Sequence, residues 1–257
     1  MTWTLCRTTE KFSNIYNMLP NKFEKWFLTV NTEKTEYISL SRSERRIDES
    51  WRRHKRLGTL LGDTEDVTRR KILSNRAFRK LMSLWGTKKK LTGKTKIRIY
   101  NSFVLPILTY NCGTWGLTKL ENQKLDSFHR SQLRAALNIR YPQKISNDNL
   151  YKLCNSEIHS IEILKSRWRL FGHILRMDVA TPANIAMETY FMQCGDAFRG
   201  RPRTTLPSVL NQDLKIIGRK LETADDLDNL RELEKRRGTW RRLWDSIVVH
   251  AAQGKLN

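Results

Sequence analysis

No run of roughly eighteen apolar residues occurs in this chain, so a membrane-spanning helix is not expected. The N-terminal MTWTLCRTTE lacks the basic-then-apolar order of a signal peptide, which argues against secretion. Cysteine is sparse: Cys6, Cys112, Cys154 and Cys194 are scattered, with no C-x-x-C among them. That spacing suggests neither a zinc site nor a disulfide framework. The thiols read as reduced and mostly buried, which fits the cytosol or nucleus. No motif calls for a cofactor. A third absence is local: from Val67 to Leu120 there is no Asp or Glu.

Cations fill that span. Arg69, Arg70, Lys71, Arg76, Arg79, Lys80, Lys88, Lys89, Lys90, Lys94, Lys96, Arg98 and Lys119 all fall inside it. Over the 257 residues, 48 Lys and Arg stand against 26 Asp and Glu, a net charge of +22. An imbalance of that size has a polyanion or an acidic membrane surface as its usual partner. Like charges repel, so an acid-free stretch this long destabilises its own fold unless something neutralises it. RNA or DNA contact through the residues from Arg69 to Arg98 is therefore expected. Hydrophobic residues at 39% and charged residues at 29% make a globular composition, large enough for one large or two small domains.

Periodicity predicts a mainly α chain. Phe12, Ile15, Tyr16, Leu19, Phe23 and Trp26 share helical spacing over 10–27, with Pro20 expected to kink or split the helix. Short strands are expected at 28–30 and 37–40, and in Arg56-Leu57-Gly58-Thr59-Leu60-Leu61-Gly62 two glycines bracket a further short apolar strand. The charge-dense 41–56 reads as a surface connection, a basic docking segment or part of a nuclear import signal. Acids at 63–66 precede a helix over 67–85 with Ile72, Leu73, Ala77, Leu81 and Leu84 as its apolar side. After GTKKKLTG, a second helix buries Ile97, Tyr100, Phe103, Val104, Ile107 and Leu108, and breaks near Pro106. A third places Leu125, Phe128, Leu133, Ala136 and Leu137 together, and a short one covers 150–154.

The cleanest seam is Ile161, Leu164, Trp168, Phe171 and Leu175. Lys165, Arg169, His173 and Arg176 line another side of that helix, as a phosphate-tracking stripe or a solvated face. Residues 182–199 look irregular. Arg199-Gly200-Arg201-Pro202-Arg203 contains the core of an AT-hook, with Arg201 and Arg203 as candidate minor-groove contacts. A helix follows over 204–217. Thr223 to Asp226 has the form of a capping box opening another helix, so Ala224-Asp225-Asp226 is not a polymerase metal pair. Trp240, Leu243, Trp244 and Ile247 mark the final helix.

Several phrases together resemble one family. These are K-x-x-x-Y-x-S-x-V-x-P-x-L-x-Y…W from Lys96 to Trp115, L-R-x-x-L-x-I from Leu133, and L-T-V-N-T-E-K-T-E from Leu28. R-W-R-L-F-G-H-I-L-R from Arg167, G-R-P at Gly200 and R-R-G-T-W-R-R-L from Arg236 continue the series. Their order resembles LINE-type (non-LTR) retrotransposon reverse transcriptases, from about Phe23 to the C-terminus. The resemblance implies a palm tail over 1–62, a helical thumb-like bundle over 63–178 and a helical extension over 179–257, with a small β-hairpin from the palm near the N-terminus. It also implies that Lys34 lies near the nucleotide, and that the hairpin at 56–62 is the primer grip with Arg56 replacing an aromatic residue. The family's catalytic aspartates belong to segments upstream of Met1. The expectation is a non-catalytic fragment binding primer–template backbone without sequence preference. One alternative is part of an RNA-directed DNA polymerase whose aspartates lie in a missing N-terminal portion or a partner in trans. The other is an AT-rich DNA binder acting through RGRPR.

Overall fold

The structure, a computed structural model, describes residues 9–31, 33, 50–87, 91–192 and 204–256. The described chain is mainly helical, with one two-stranded antiparallel sheet. Helix α1 (Thr9–Glu24) runs through Pro20 as one element and not as two short helices. Its residues 17–24 are mostly exposed, so water can bond the carbonyl that the missing Pro20 N–H leaves free. Residues 28–30 form no strand; they have no strand partner among the described residues, and Leu28 faces solvent. The expected strand at 37–40, Lys34 and most of 41–56 lie outside the described residues.

A hairpin forms here, as the resemblance implies. Strands β1 (Lys55–Arg56) and β2 (Thr59–Leu60) pair with Lys55 opposite Leu60. Leu57 and Gly58 turn between them, both at positive φ, 44° and 83°, the backbone a two-residue hairpin turn demands. A leucine tolerates that conformation poorly. Bonds from the body hold it: Tyr110 Oη donates to the Leu57 carbonyl at 2.8 Å and Arg69 donates to the Gly58 carbonyl at 2.7 Å.

Helix α2 (Asp63–Thr87) begins in the acidic turn, and its inner face matches the expected one only in part: Ala77 and Leu81 pack against the core as expected, but the face is rotated away from Ile72 and Leu84. Val67, Ser74, Phe78 and Trp85 point inward, while Ile72 and Leu84 are 51% and 56% exposed. The inward face is shifted because Asp66 and Arg70 bury as a pair on that side and the two aromatics bring more apolar area than the leucines. Helix α3 (Gly93–Phe103) starts at Thr92, whose side chain caps it, and ends at Val104. There the chain restarts as α4 (Leu105–Leu108), with Pro106 in its first turn, the break that proline predicts. Ile97, Tyr100, Val104 and Leu108 are buried as expected; Phe103 is 65% exposed.

Helix α5 (Lys119–Ala136) carries a capping box between Thr118 and Glu121, and α6 (Asn147–Cys154) is capped by Ser146. These two, with α2 and α3, enclose a core of Phe78, Trp85, Tyr100, Leu133, Leu150 and Tyr151. A second cluster gathers Val67, Leu108, Cys112, Trp115, Leu125 and Ile163. Helix α7 (His159–Arg176) supplies Ile163 to that cluster; its predicted seam is buried throughout, and all of it but Ile161 turns toward a third cluster. In the third cluster, Leu164, Trp168, Phe171 and Leu175 meet Met187, Leu210, Leu214, Leu227, Trp240 and Ile247. Those partners come from α8 (Pro182–Met192), α9 (Leu206–Lys215), α10 (Ala224–Lys235) and α11 (Arg237–Leu256). Helix α8 covers 182–192 of the stretch expected to be irregular, the rest of which lies outside the described residues; Asn184 inside it is buried and donates to the carbonyls of Ile174 and Met177 at the end of α7. No described helix is long and apolar enough to cross a membrane.

Candidate nucleic-acid interface

The side of α2 turned from the core presents Arg76, Arg79 and Lys80, all exposed. On α3, Lys94 and Arg98 are exposed as well. None of these five has an ion-pair partner among the described residues. Half-exposed Ile72 and Leu84 flank these α2 cations, one helical turn before and after them, so the face offers apolar contact beside its charges. Lys96 is half-buried, its ammonium 5.9 Å from the centre of the Trp85 ring, within cation–π reach.

Two arginines of the predicted set serve the fold instead. Arg70 is 5% exposed. Its guanidinium meets Asp66 at 3.5 Å, lies 4.4 Å above the Tyr110 ring and bonds the Gly58 carbonyl. A group so enclosed cannot reach a phosphate. Arg69 is half-buried against the same carbonyl. Lys71 is half-buried over Phe128, and burial together with the nearby Lys124 ammonium holds its pKa below the ordinary lysine range. Lys88, Lys89, Lys90, Arg201 and Arg203 lie outside the described residues.

The row on α7 is not a uniform stripe. Lys165 bonds both carboxylate oxygens of Glu157, and Arg176 pairs with the buried Glu234 carboxylate. Arg169 and His173 are exposed and make no ion pair among the described residues. Two of the row's cations are thus neutralised within the fold.

Asp225 and Asp226 open α10. The Asp226 carboxylate accepts from the backbone N–H groups of Glu222 at 2.9 Å and Thr223 at 3.1 Å, and those bonds lower its pKa. Asp226 completes a capping box with Thr223, as the sequence predicts, and Asp225 lies in the first turn beside it. No cluster of three potential metal ligands occurs among the described residues.

Two features were not legible beforehand. One is buried: His129 and His159 sit with ring centres 5.1 Å apart, and Tyr100 stacks on His129 at 5.8 Å. Burial pushes the His129 pKa down to about 4, aided by Arg130, and that of His159 to about 3, aided by His129. The other is on the surface. Ser127, Ser131, Arg134, Ala135, Ile139 and Arg140 line an open concavity of about 390 Å³ on the outer side of α5. It was missed because the basic region was delimited by its lack of acids, which ends at Glu121. The helical spacing of Lys124, Ser127, Ser131 and Arg134 is the signal that could have found it.

No protein-family description, no curated protein and no solved structure matches this chain.

Proposed function

We infer that this chain grips the sugar–phosphate backbone of RNA or DNA without reading sequence, and that it does so as a thumb-like piece of a reverse transcriptase, with no polymerase activity of its own. The observation that carries the reading is the contrast between two sets of cations. Arg52, Arg70, Lys165, Arg167, Arg176 and Arg231 are ion-paired within the fold. Arg76, Arg79, Lys80, Lys94 and Arg98 are exposed, with no acidic partner among the described residues. A surface that concentrates unpaired positive charge is the electrostatic footprint of a polyanion partner. The motif order from Lys96 to Trp115 and beyond supports the family assignment, and the capping role of Asp225 and Asp226 speaks against a metal-dependent centre there.

Phosphate contacts give affinity that falls linearly with the logarithm of salt concentration, with a slope near −0.9 per phosphate on duplex DNA. Fluorescence anisotropy of a labelled primer–template duplex over a salt series tests this. Changing Arg76, Arg79 and Lys80 together to Ala is expected to lower the slope by about two to three. A flat salt response of the natural protein, or no binding at low salt, overturns the reading.

One observation favours a second reading, in which the chain completes a polymerase in trans. Trp26 and Phe27, just after α1, are 78% and 100% exposed, apolar surface of the kind that marks an interaction site. Primer extension that appears only on mixing with a palm-bearing partner would establish it.

A further inference from the structure

The outer face of α5 holds a second anion site that the acid-free region does not include. The helix buries Leu125, His129, Gln132, Leu133 and Ala136. On its opposite side, at helical spacing, come Lys124, Ser127, Ser131 and Arg134. Asn138, at φ 58°, then turns the chain so that Arg140 closes the end of the 390 Å³ concavity. Lys124, Ser127, Ser131 and Arg140 are exposed, and no carboxylate lines the concavity.

The neighbouring acids are turned away. Asp126, next to Ser127 in sequence, is buried and accepts from the Ser160 N–H at 2.8 Å and the Ser160 hydroxyl at 2.7 Å. Glu121 is held at the helix start by Thr118 and Thr64. Arg134 is positioned rather than free-swinging: one Nη donates to Asn147 Oδ1 at 2.8 Å and reaches the Ile145 carbonyl at 3.4 Å. That anchoring fixes the plane of a guanidinium that has no ion-pair partner among the described residues, the geometry suited to forked recognition of a phosphate. Small side chains at Ser127, Ser131 and Ala135 let a strand approach the helix closely, and the two hydroxyls can donate to its oxygens. At the other end, Lys124 faces Lys71 of α2, two like charges that a polyanion would bridge.

Resting on the nucleic-acid reading above, we propose that this face of α5 is a backbone track whose concavity seats one phosphodiester between Arg134 and Arg140, with the Ser127 and Ser131 hydroxyls donating to it. From Lys124 to Arg134 the helix rises about 15 Å. At about 3.4 Å of duplex axis per phosphate on one strand, that length spans several phosphates, so Lys124 meets the same strand further along. The apolar lining is limited to Ala135 and Ile139 and includes no aromatic ring; the ligand is the backbone, not a base.

The test uses the full chain with labelled duplex over a salt series, comparing Arg140→Ala, Ser131→Glu and the Arg76/Arg79/Lys80 triple alanine variant. Ser131 and Arg140 are both exposed, and melting curves verify that each variant folds. Arg140→Ala is expected to weaken binding several-fold and lower the salt slope by about one; Ser131→Glu, which puts a negative charge in the concavity, weakens it further. If both leave affinity and slope unchanged while the triple variant lowers them, the track is wrong and the backbone-binding reading stands. Failure of the natural protein to bind duplex sinks both. A calorimetric titration with inorganic phosphate separates the sources: phosphate heat lost in Arg140→Ala, without duplex binding, assigns the concavity to free phosphate and overturns the track.

Discussion

Asp66 on α2 accepts the indole N–H of Trp115 at 3.2 Å across 49 residues of sequence. The same carboxylate also takes the Thr59 hydroxyl at 2.6 Å, the Leu60 N–H at 2.9 Å and the Arg70 guanidinium at 3.5 Å. One buried acid therefore ties the hairpin, the start of α2 and the second core cluster together. Asp66→Asn keeps the size but removes the charge, leaving the buried Arg70 cation without its counter-ion. Breaking a buried pair from one side costs about 3–5 kcal/mol. The Gly58 carbonyl and Tyr110 ring still hold Arg70, so a loss near 3 kcal/mol is expected. Urea unfolding should show a lower midpoint with unchanged slope.

The histidine pair predicts a second behaviour. Both imidazoles are neutral in the fold, with pKa values of about 4 and about 3 against 6.5 when unfolded. Below pH 6.5 the unfolded chain takes up protons that the folded chain refuses, so stability falls with falling pH. The window runs from about 6.5 down to about 4 for His129 and about 3 for His159. The groups facing the pair are Tyr100, Arg130, Asp126 and Tyr151. The loss at its fullest is on the order of 3 kcal/mol per histidine. Replacing His129 by Phe is expected to flatten part of this dependence; an unchanged profile from pH 7 to 5 in the variant would refute the assignment.

Gly172 lies beneath Trp240. A methyl group there would stand 2.6 Å from the indole Nε1 and 3.1 Å from Cε2. In a mid-helix position alanine ordinarily gains about 1 kcal/mol over glycine, but overpacking costs about 1–3 kcal/mol. The ring is also packed against Trp168 at 5.6 Å and Phe171 at 6.0 Å, which restricts its retreat. Gly172→Ala should therefore lower the melting temperature, and a rise would show that Trp240 can move aside.

Cys112 and Cys154 are buried free thiols, and burial raises both pKa values, that of Cys154 to about 11. The thiolate is the nucleophile, so both should resist iodoacetamide at pH 8 until denaturant is added. Mass mapping of the alkylated peptides reads this directly.

Sequence reasoning succeeded where one periodic pattern matched one buried face. The α7 residues Leu164, Trp168, Phe171 and Leu175 all enter one core, and the Leu57-Gly58 turn carries its own backbone signature. It held only in part on α2 because polar groups, Asp66, Arg70 and Ser74, occupy the inner side, and no hydrophobic pattern reveals a charge that buries as a pair. Charge counting also credited Arg176 to a binding stripe, whereas its partner Glu234 lies 58 residues away. Only the tertiary fold discloses which cations are neutralised. The outer side of α5 escaped for the converse reason: serines and an alanine carry no charge, yet they shape the surface between Lys124 and Arg140.

Helix α7 gives Ile163 to one core and Leu164, Trp168, Phe171 and Leu175 to another. It is a shared beam rather than a link between separate bodies. A load on the outer faces of α2 and α5 passes through Asp126, whose carboxylate holds the N-terminal turn of α7 at Ser160, and on to the packed tryptophans at the far end. A cut between the two halves would not release two intact pieces. It would strip one side of the beam bare and slacken the outer faces of α2 and α5.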